Sequence, residues 1–206
     1  MKLVTFACAI LLVGLYSAAA GAGGFDETSF GESIANRNCA WCHGGSGQGF
    51  ATAPRLAGQR REYIEDQIQN FKSHGRDNPK SEQFMWGAAA RIDAQAVAEV
   101  AAYYSAVRAE AADDGNKDVV ETGRLVYRDG KIEENIPSCV ACHGPNSEGV
   151  GAIPRLGGLS YRYLKRRLEQ WGQGYHLTAK APMADIAKNL PPQQIEALAS
   201  YLSFVK

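Results

Sequence analysis

The sequence predicts an all-α protein that consists of two tandem copies of one small domain. Apolar residues recur at helical spacing along much of the chain, and no alternating strand pattern interrupts them. A six-residue motif occurs twice, as CAWCHG at 39–44 and CVACHG at 139–144. The segments that follow the two motifs resemble each other. Duplication of a helical domain accounts for all three observations.

The composition is that of a globular protein, with 45% hydrophobic and 21% charged residues in a chain of 206. Lys and Arg together number 22, as do Asp and Glu, so the formal net charge is zero. Nucleic-acid binding requires a basic footprint. The balanced charge therefore argues against nucleic acid as a partner.

Residues 1–20 are predicted to be an export signal. A short positive segment, MK, precedes the apolar run LVTFACAILLVGLY and the small-residue stretch SAAA. We expect cleavage after Ala20, with Ala22 as the second choice. The alternative is an uncleaved membrane anchor, which is disfavoured because the apolar run is shorter than the roughly 20 residues of a membrane span. Any membrane association is then expected only through partners.

Cysteine usage points to the chemistry of the chain. One of the five cysteines, Cys8, lies in the export signal, and the others are Cys39, Cys42, Cys139 and Cys142. Each pair forms a C-x-x-C-H motif with His43 or His143. Two thiols at this spacing lie on one side of a helical turn and can bond one edge of a porphyrin, while the histidine reaches the iron. The sequence therefore predicts two covalent haem c groups with His43 and His143 as proximal ligands.

Three other interpretations of the motif are possible. Four cysteines could form one closed zinc site, but then the histidine after each pair would be a coincidence. A thioredoxin-like redox motif requires a βαβ pattern, which the sequence lacks. Chance recurrence is improbable for two copies in an exported chain, and haem attachment is the favoured interpretation.

Alignment of the two motifs reveals the rest of the repeat. The segment PRLAG at 54–58 matches PRLGG at 154–158, and Tyr63 matches Tyr163. A two-residue deletion then brings Met85 onto Met183. We expect an N-terminal domain at 25–108, an acidic linker at 109–117 that keeps the domains close, and a C-terminal domain at 118–206.

The helices of each copy follow in the same order. Each copy opens with a glycine three positions before an apolar residue, and the second copy has an insertion in RDGKIEENIP. A middle helix is expected at 63–71 and at 163–171. The last helices are the clearest, because Asp93 is a good N-cap and Pro191–Pro192 suits a helix start. Domains this small have little core of their own, and a covalent haem supplies a large apolar body for packing.

Met85 and Met183 are the predicted sixth ligands of the two irons. They are the only methionines after the export signal, and they align in the repeat. Core filling is the commonest use of methionine and is the alternative. His74 and His176 do not align and are expected to be solvated loop residues.

With these motifs, the chain resembles the two-domain dihaem class I cytochromes c of the c4 type. The resemblance rests on the two C-x-x-C-H-G motifs, the two PRL segments, APM at 181–183 and LASYL at 198–202. It implies two class I cytochrome c domains related by pseudo-twofold symmetry, and electron transfer in the periplasm. The sequence QFMWG departs from the pattern, because the family more often has proline before the methionine.

The resemblance also implies roles around the haems. The carbonyls of Pro54 and Pro154 would accept the hydrogen bond of the proximal histidine and so fix its ring. Arg55 and Arg155 would lie near haem propionates. The alternative for these arginines is a solvated surface position.

The favoured function is a carrier of single electrons between redox proteins, with donor and acceptor unnamed. An electron-transfer subunit of a larger dehydrogenase or oxidase is the alternative. A dihaem peroxidase is less favoured, since an enzyme needs an open iron and acid–base residues. The basic segment at 162–167 is expected to be a solvated face, with docking of a partner as the alternative.

Overall fold

The computed structural model describes residues 27–50, 52–176 and 182–206, which form two helical domains. The proposed export signal and its cleavage sites lie outside these ranges. Within them, β-structure is limited to two isolated bridges, Lys131–Ile136 and Val150–Ile153. The predicted all-α fold of two tandem domains is confirmed.

The two domains present their helices in the same order. The first domain contains α1 (Glu27–Asn38), α2 (Ala40–His43), α3 (Arg61–Lys72), a π-helical turn (Ser81–Met85), α4 (Trp86–Ala89) and α5 (Ala94–Ala106). The second contains a 3₁₀ turn (Lys117–Val119), α6 (Val120–Asp129), a second 3₁₀ turn (Ile132–Glu134), α7 (Val140–His143), α8 (Tyr161–Gly172), α9 (Met183–Ala187) and α10 (Pro192–Phe204).

The first and last helices of each domain pack closely against each other, and a glycine makes this contact possible. A Cβ atom on Gly31 would lie 2.3 Å from the carbonyl oxygen of Glu99, and one on Gly123 would lie 2.0 Å from that of Ala197. Both distances are far inside van der Waals contact. The glycine that opens each copy therefore sets the distance between α1 and α5, and between α6 and α10.

The last helix of each domain starts as the sequence predicts, by two different means. The Asp93 carboxylate accepts a hydrogen bond of 2.8 Å from the backbone N–H of Ala96, which satisfies a free donor in the first turn of α5. In α10, Pro192 occupies the first turn, where a missing N–H has no consequence.

Buried hydrogen bonds join the two domains. The Arg55 side chain is 5% exposed. Its guanidinium donates to the carbonyl oxygens of Ala57, Glu110, Gly157 and Gly158 over 2.6–3.1 Å. The Gln59 side chain accepts from the backbone N–H of Arg155 at 2.8 Å and donates to its carbonyl at 3.0 Å. These bonds fix the orientation of one domain on the other.

The linker lies against both domains. Gln48 of the first domain accepts from the backbone N–H of Glu110 at 3.1 Å. Asp114 accepts from the Ser160 hydroxyl and from the backbone N–H of Tyr161, each at 2.7 Å, and so caps the start of α8. Asp114 thus stabilises the start of α8 and joins the linker to the second domain.

None of the helices that the structure describes has the length and apolar character that a bilayer crossing requires.

Candidate haem centres

Each C-x-x-C-H motif folds as one short helical turn. Cys39 and Cys139 are half-buried, Cys42 and Cys142 are exposed, and none of the four forms a disulfide. Burial raises the pKa of Cys39, and it raises that of Cys139 to about 11. Each turn thus offers one more buried and one more exposed thiol three positions apart, a spacing that fits the two bonds of a covalent haem.

The histidine of each motif is buried and its ring is fixed by a carbonyl. His43 is 6% exposed, with its Nδ1 2.7 Å from the carbonyl oxygen of Pro54. His143 is 7% exposed, with its Nδ1 3.0 Å from that of Pro154. Burial lowers the pKa of both rings, and the carbonyl bond opposes this. A neutral ring that donates through Nδ1 keeps its Nε2 lone pair for iron.

A glycine-rich loop carries each proline back to its histidine. Gly49 has a φ of +78° and donates from its N–H to the His43 carbonyl at 2.7 Å. Gly149, with a φ of +69°, makes the same bond to His143 at 2.9 Å. A Cβ atom at either glycine would collide with the backbone of the following PR segment. Sequence reasoning did not single out these glycines, although both lie six residues after the histidine.

The two methionines begin or end short helices before the last helix of each domain. Met85 ends the π-helical turn and packs at the edge of the first core, whereas Met183 is the first residue of α9. Both side chains are half-buried. Their role as sixth ligands stays a prediction.

The two remaining histidines differ in environment. His74 is exposed, as expected, and its ring stacks on Trp86 with centroids 3.9 Å apart. The expectation that His176 is solvated is wrong, because its side chain is 3% exposed and its ring stacks on Trp171. The loop around His176 turns inward toward the first domain, where Asp77 accepts its backbone N–H at 2.6 Å.

The alternative of a solvated Arg55 is also wrong. Its guanidinium is buried among four carbonyls, which use all but about one of its five N–H groups. Arg155 is half-buried and donates to the carbonyl oxygen of Gly157 at 3.3 Å. Arg55 thus joins the domains and retains little donor capacity for a haem propionate.

The basic segment of α8 is not a solvated face. Lys165 pairs with Glu196 at 2.9 Å, and Arg166 donates to the Thr52 carbonyl of the first domain at 3.0 Å. Arg167 is 9% exposed, which leaves Arg162 as the exposed cation of the four. The segment thus serves contacts inside the molecule, and docking of a partner at this segment stays a prediction.

Comparisons with known proteins agree with this geometry. The family described as Cytochrome c matches residues 29–107 and 120–206. Cytochrome c-552 of Acidithiobacillus ferridurans is 32% identical, over 96% of this chain and 85% of the relative. The thiosulfate dehydrogenase electron acceptor of Stutzerimonas stutzeri (strain A1501) is 38% identical, over 86% and 83%. The structure of cytochrome c4 from Acidithiobacillus ferrooxidans superposes with a TM-score of 0.74 at 33% identity, covering 81% of this chain and 98% of that one.

The chain belongs to the cytochrome c family. Its two tandem domains and its similarity to cytochromes c4 over most of its length make it a dihaem electron-transfer protein of the c4 type. Each domain binds one covalently attached haem c, which supplies the one-electron chemistry. The predicted cofactor is therefore confirmed, and the zinc and thioredoxin-like interpretations are rejected.

Proposed function

We propose that this cytochrome is exported to the periplasm and carries single electrons from a dehydrogenase to a further redox protein. The main observation that supports this function is the fixed arrangement of two equivalent haem centres. His43 and His143 are held alike by prolyl carbonyls, and Arg55 and Gln59 lock one domain onto the other. A rigid pair of centres suits entry of electrons at one domain and exit at the other.

The proposed donor is a dehydrogenase that oxidises thiosulfate. The Stutzerimonas stutzeri relative described as a thiosulfate dehydrogenase electron acceptor supports this choice.

We also propose that Met85 and Met183 are the sixth ligands of the two haem irons. Closed irons leave no open position for a substrate, so the protein acts as a carrier and not as a peroxidase.

We place the contact with the donor at the first domain, around Trp41. The Trp41 side chain is 89% exposed and lies beside the exposed Cys42, where the haem edge is attached. The equivalent residue of the second motif is Ala141. Tryptophan is enriched in the cores of protein–protein interfaces relative to the rest of the protein surface. An exposed tryptophan therefore indicates a contact with a partner.

Stopped-flow reduction tests this function. The oxidised holoprotein is mixed with thiosulfate alone, and then with thiosulfate and a purified thiosulfate dehydrogenase. We expect haem reduction only with the dehydrogenase present, and a slower rate for Trp41→Ala than for the surface control Ile132→Ala. Reduction by thiosulfate alone would mean that the chain is itself an enzyme, and no reduction in either mixture would exclude this donor.

A further inference from the structure

A buried tyrosine lies beside the half-buried cysteine of each haem motif. Tyr104 in α5 and Tyr127 in α6 are each 1% exposed. Tyr104 belongs to the core against which Cys39 packs, and Tyr127 belongs to the core against which Cys139 packs. Both are among the largest fully buried side chains that the structure describes, so each ring occupies a central place next to a haem-attachment turn.

The two tyrosines are not equivalent positions of the repeat. Tyr104 in the last helix of the first domain aligns with Leu202 in α10. Tyr127 in the first long helix of the second domain aligns with Ala35 in α1. All four side chains are 1–3% exposed. Each domain therefore places one aromatic ring beside its cysteine, but the two domains supply it from opposite helices.

A third position changes together with these two. A Cβ atom on Gly47 would lie 2.6 Å from the ring carbon Cε1 of Tyr104, so the ring leaves no room for a side chain there. The second domain has the fully buried Ser147 at the position of Gly47 and the smaller Leu202 at the position of Tyr104. The three differences thus compensate one another in volume.

The hydroxyl groups of the two tyrosines form different bonds. Burial raises the pKa of the Cys39 thiol, and a hydrogen bond from the Tyr104 hydroxyl opposes this effect. The Tyr127 hydroxyl donates instead to the carbonyl oxygen of Gly144 at 2.7 Å. Gly144 directly follows the proximal His143. One hydroxyl therefore addresses the sulfur of its haem motif, and the other addresses the backbone beside the proximal histidine.

The bond of Tyr104 has an electrostatic consequence for the first haem. Once bonded to haem, the Cys39 sulfur is a thioether, which is a weak hydrogen-bond acceptor. A hydroxyl that donates to it directs the positive end of its dipole at the haem edge. Hydrogen bonds around a haem are one of the means by which a protein sets the reduction potential. A positive dipole at this edge favours the reduced, less positive state and raises the potential.

The bonds of Tyr127 have a mechanical consequence for the second haem motif. The backbone N–H of Cys139 donates to the Tyr127 carbonyl at 2.9 Å, and the Tyr127 hydroxyl holds the carbonyl of Gly144. Tyr127 thus contacts the motif at its first residue and just beyond its last. Its hydroxyl proton is directed at a backbone carbonyl, so the dipole is not aimed at the sulfur.

We infer that Tyr104 and Tyr127 are positioning residues that act differently on the two haems. Tyr104 polarises the thioether sulfur of Cys39 and raises the potential of the first haem, whereas Tyr127 holds the turn that carries His143. Exchange of the tyrosine between two helices keeps the packing of the ring and changes the effect of its hydroxyl. The inference rests on haem attachment at the two motifs and is independent of the electron donor and of the sixth ligands.

Potentiometric titration of the holoprotein tests the role of Tyr104, with each haem assigned by NMR contacts between its methyl groups and side chains of its own domain. Tyr104→Phe keeps the ring and should lower the potential of the first haem alone. We expect about a threefold change in the one-electron equilibrium, which is about 28 mV because tenfold corresponds to 59 mV. The control Tyr103→Phe removes the hydroxyl of the half-buried neighbour in α5 and should change neither potential.

The other outcomes for this variant count against the role of Tyr104. A first potential that is unchanged or raised, or a loss shared equally by both haems, overturns it. If Tyr104→Phe does not mature, Tyr104→Leu, which installs the residue of the second domain, decides by the same criterion.

NMR spectra of the oxidised holoprotein test the role of Tyr127. Tyr127→Phe should move the paramagnetically shifted proton signals of the His143 ring and leave those of His43 in place. It should also change the second potential by less than Tyr104→Phe changes the first. Unaltered His143 signals, or a potential shift as large as that of Tyr104→Phe, would overturn the division of roles between the two tyrosines.

Discussion

The two domains are alike where they hold haem and different where they face each other. Gly31 and Gly123 make the same helix contact, and each proximal histidine donates a hydrogen bond through Nδ1 to a prolyl carbonyl. At the interface, however, Arg55 donates to four carbonyls and Arg155 to one. Duplication has kept the internal packing of each copy while the facing surfaces have diverged.

A physical reason for this divergence lies on the pseudo-twofold axis. Equivalent residues meet themselves at such an axis, so any charged residue faces a like charge. Burial and the nearby Arg155 lower the pKa of Arg55 to about 10. Carbonyl oxygens of the linker and of the second domain surround one of the two arginines, which relieves the repulsion but makes the interface asymmetric.

The largest expected difference between the domains comes from replacing one proposed sixth ligand, Met85 or Met183, at a time. Met85→His should lower the potential of the first haem and Met183→His that of the second, each by a few hundred millivolts within the roughly 0.8 V that axial ligands span. Titration followed by the haem absorption bands measures this. The near-infrared methionine–iron band should lose half its intensity in either variant. A variant with unaltered spectra would show that its methionine is not a ligand.

The asymmetric interface provides the second test. Arg55→Ala leaves buried carbonyls of both domains without a donor and should lower the free energy of unfolding by roughly 2–4 kcal/mol. Arg155→Ala removes one long bond and should change it by less than about 1 kcal/mol. Denaturant titration gives both values. Equal losses for the two arginines would contradict the asymmetry described above.

Sequence alone predicts the features that each domain builds locally. The repeated motif defines the haem centres, and Asp93 and Pro192 mark helix starts by rules that involve only neighbouring residues. The environment of His176 was mispredicted, and nothing in the sequence indicated the bonds that Arg55 makes, because both depend on the other domain. Nor did the sequence indicate that Arg76 is buried at the domain interface, because its hydrogen-bond partner Tyr163 lies 87 residues away along the chain. Contacts across a duplicated interface have no periodicity by which a single sequence would reveal them.

The shared helix contact predicts an equal effect in both domains. Gly31→Ala and Gly123→Ala each force a methyl group into a carbonyl oxygen, and overpacking of this kind typically reduces stability by about 1–3 kcal/mol. Gly87→Ala is the matched control, because a Cβ atom there meets nothing within 4 Å. The control should be neutral or slightly stabilising, since alanine favours a helix over glycine. Unfolding curves recorded at the absorption of the haems compare the three variants. A large loss for one glycine only would show that the two crossings are not equivalent.

The smallest expected difference is the gap between the two haem potentials. The middle helix of the second domain is the more basic, whereas Glu62, Glu65 and Asp66 offset the cations of α3. A cation near a haem favours the reduced state, so we predict the higher potential in the C-terminal domain. The gap should be modest, because Glu196 already neutralises Lys165. About 59 mV corresponds to a tenfold bias of the electron toward the second haem.

Ionic strength separates the sources of that gap. Exposed charges are screened over about 10 Å at 0.1 M salt, whereas buried charges are screened much less. If exposed residues such as Arg162 and Glu62 cause the difference, it should shrink when potentiometric titrations, with each haem assigned by its methionine variant, are repeated at higher salt. A gap that persists unchanged in high salt would assign it to buried groups around each haem. A higher potential at the first haem would mean that Arg76, whose charge already reaches His43, acts more strongly on its own domain than on its neighbour.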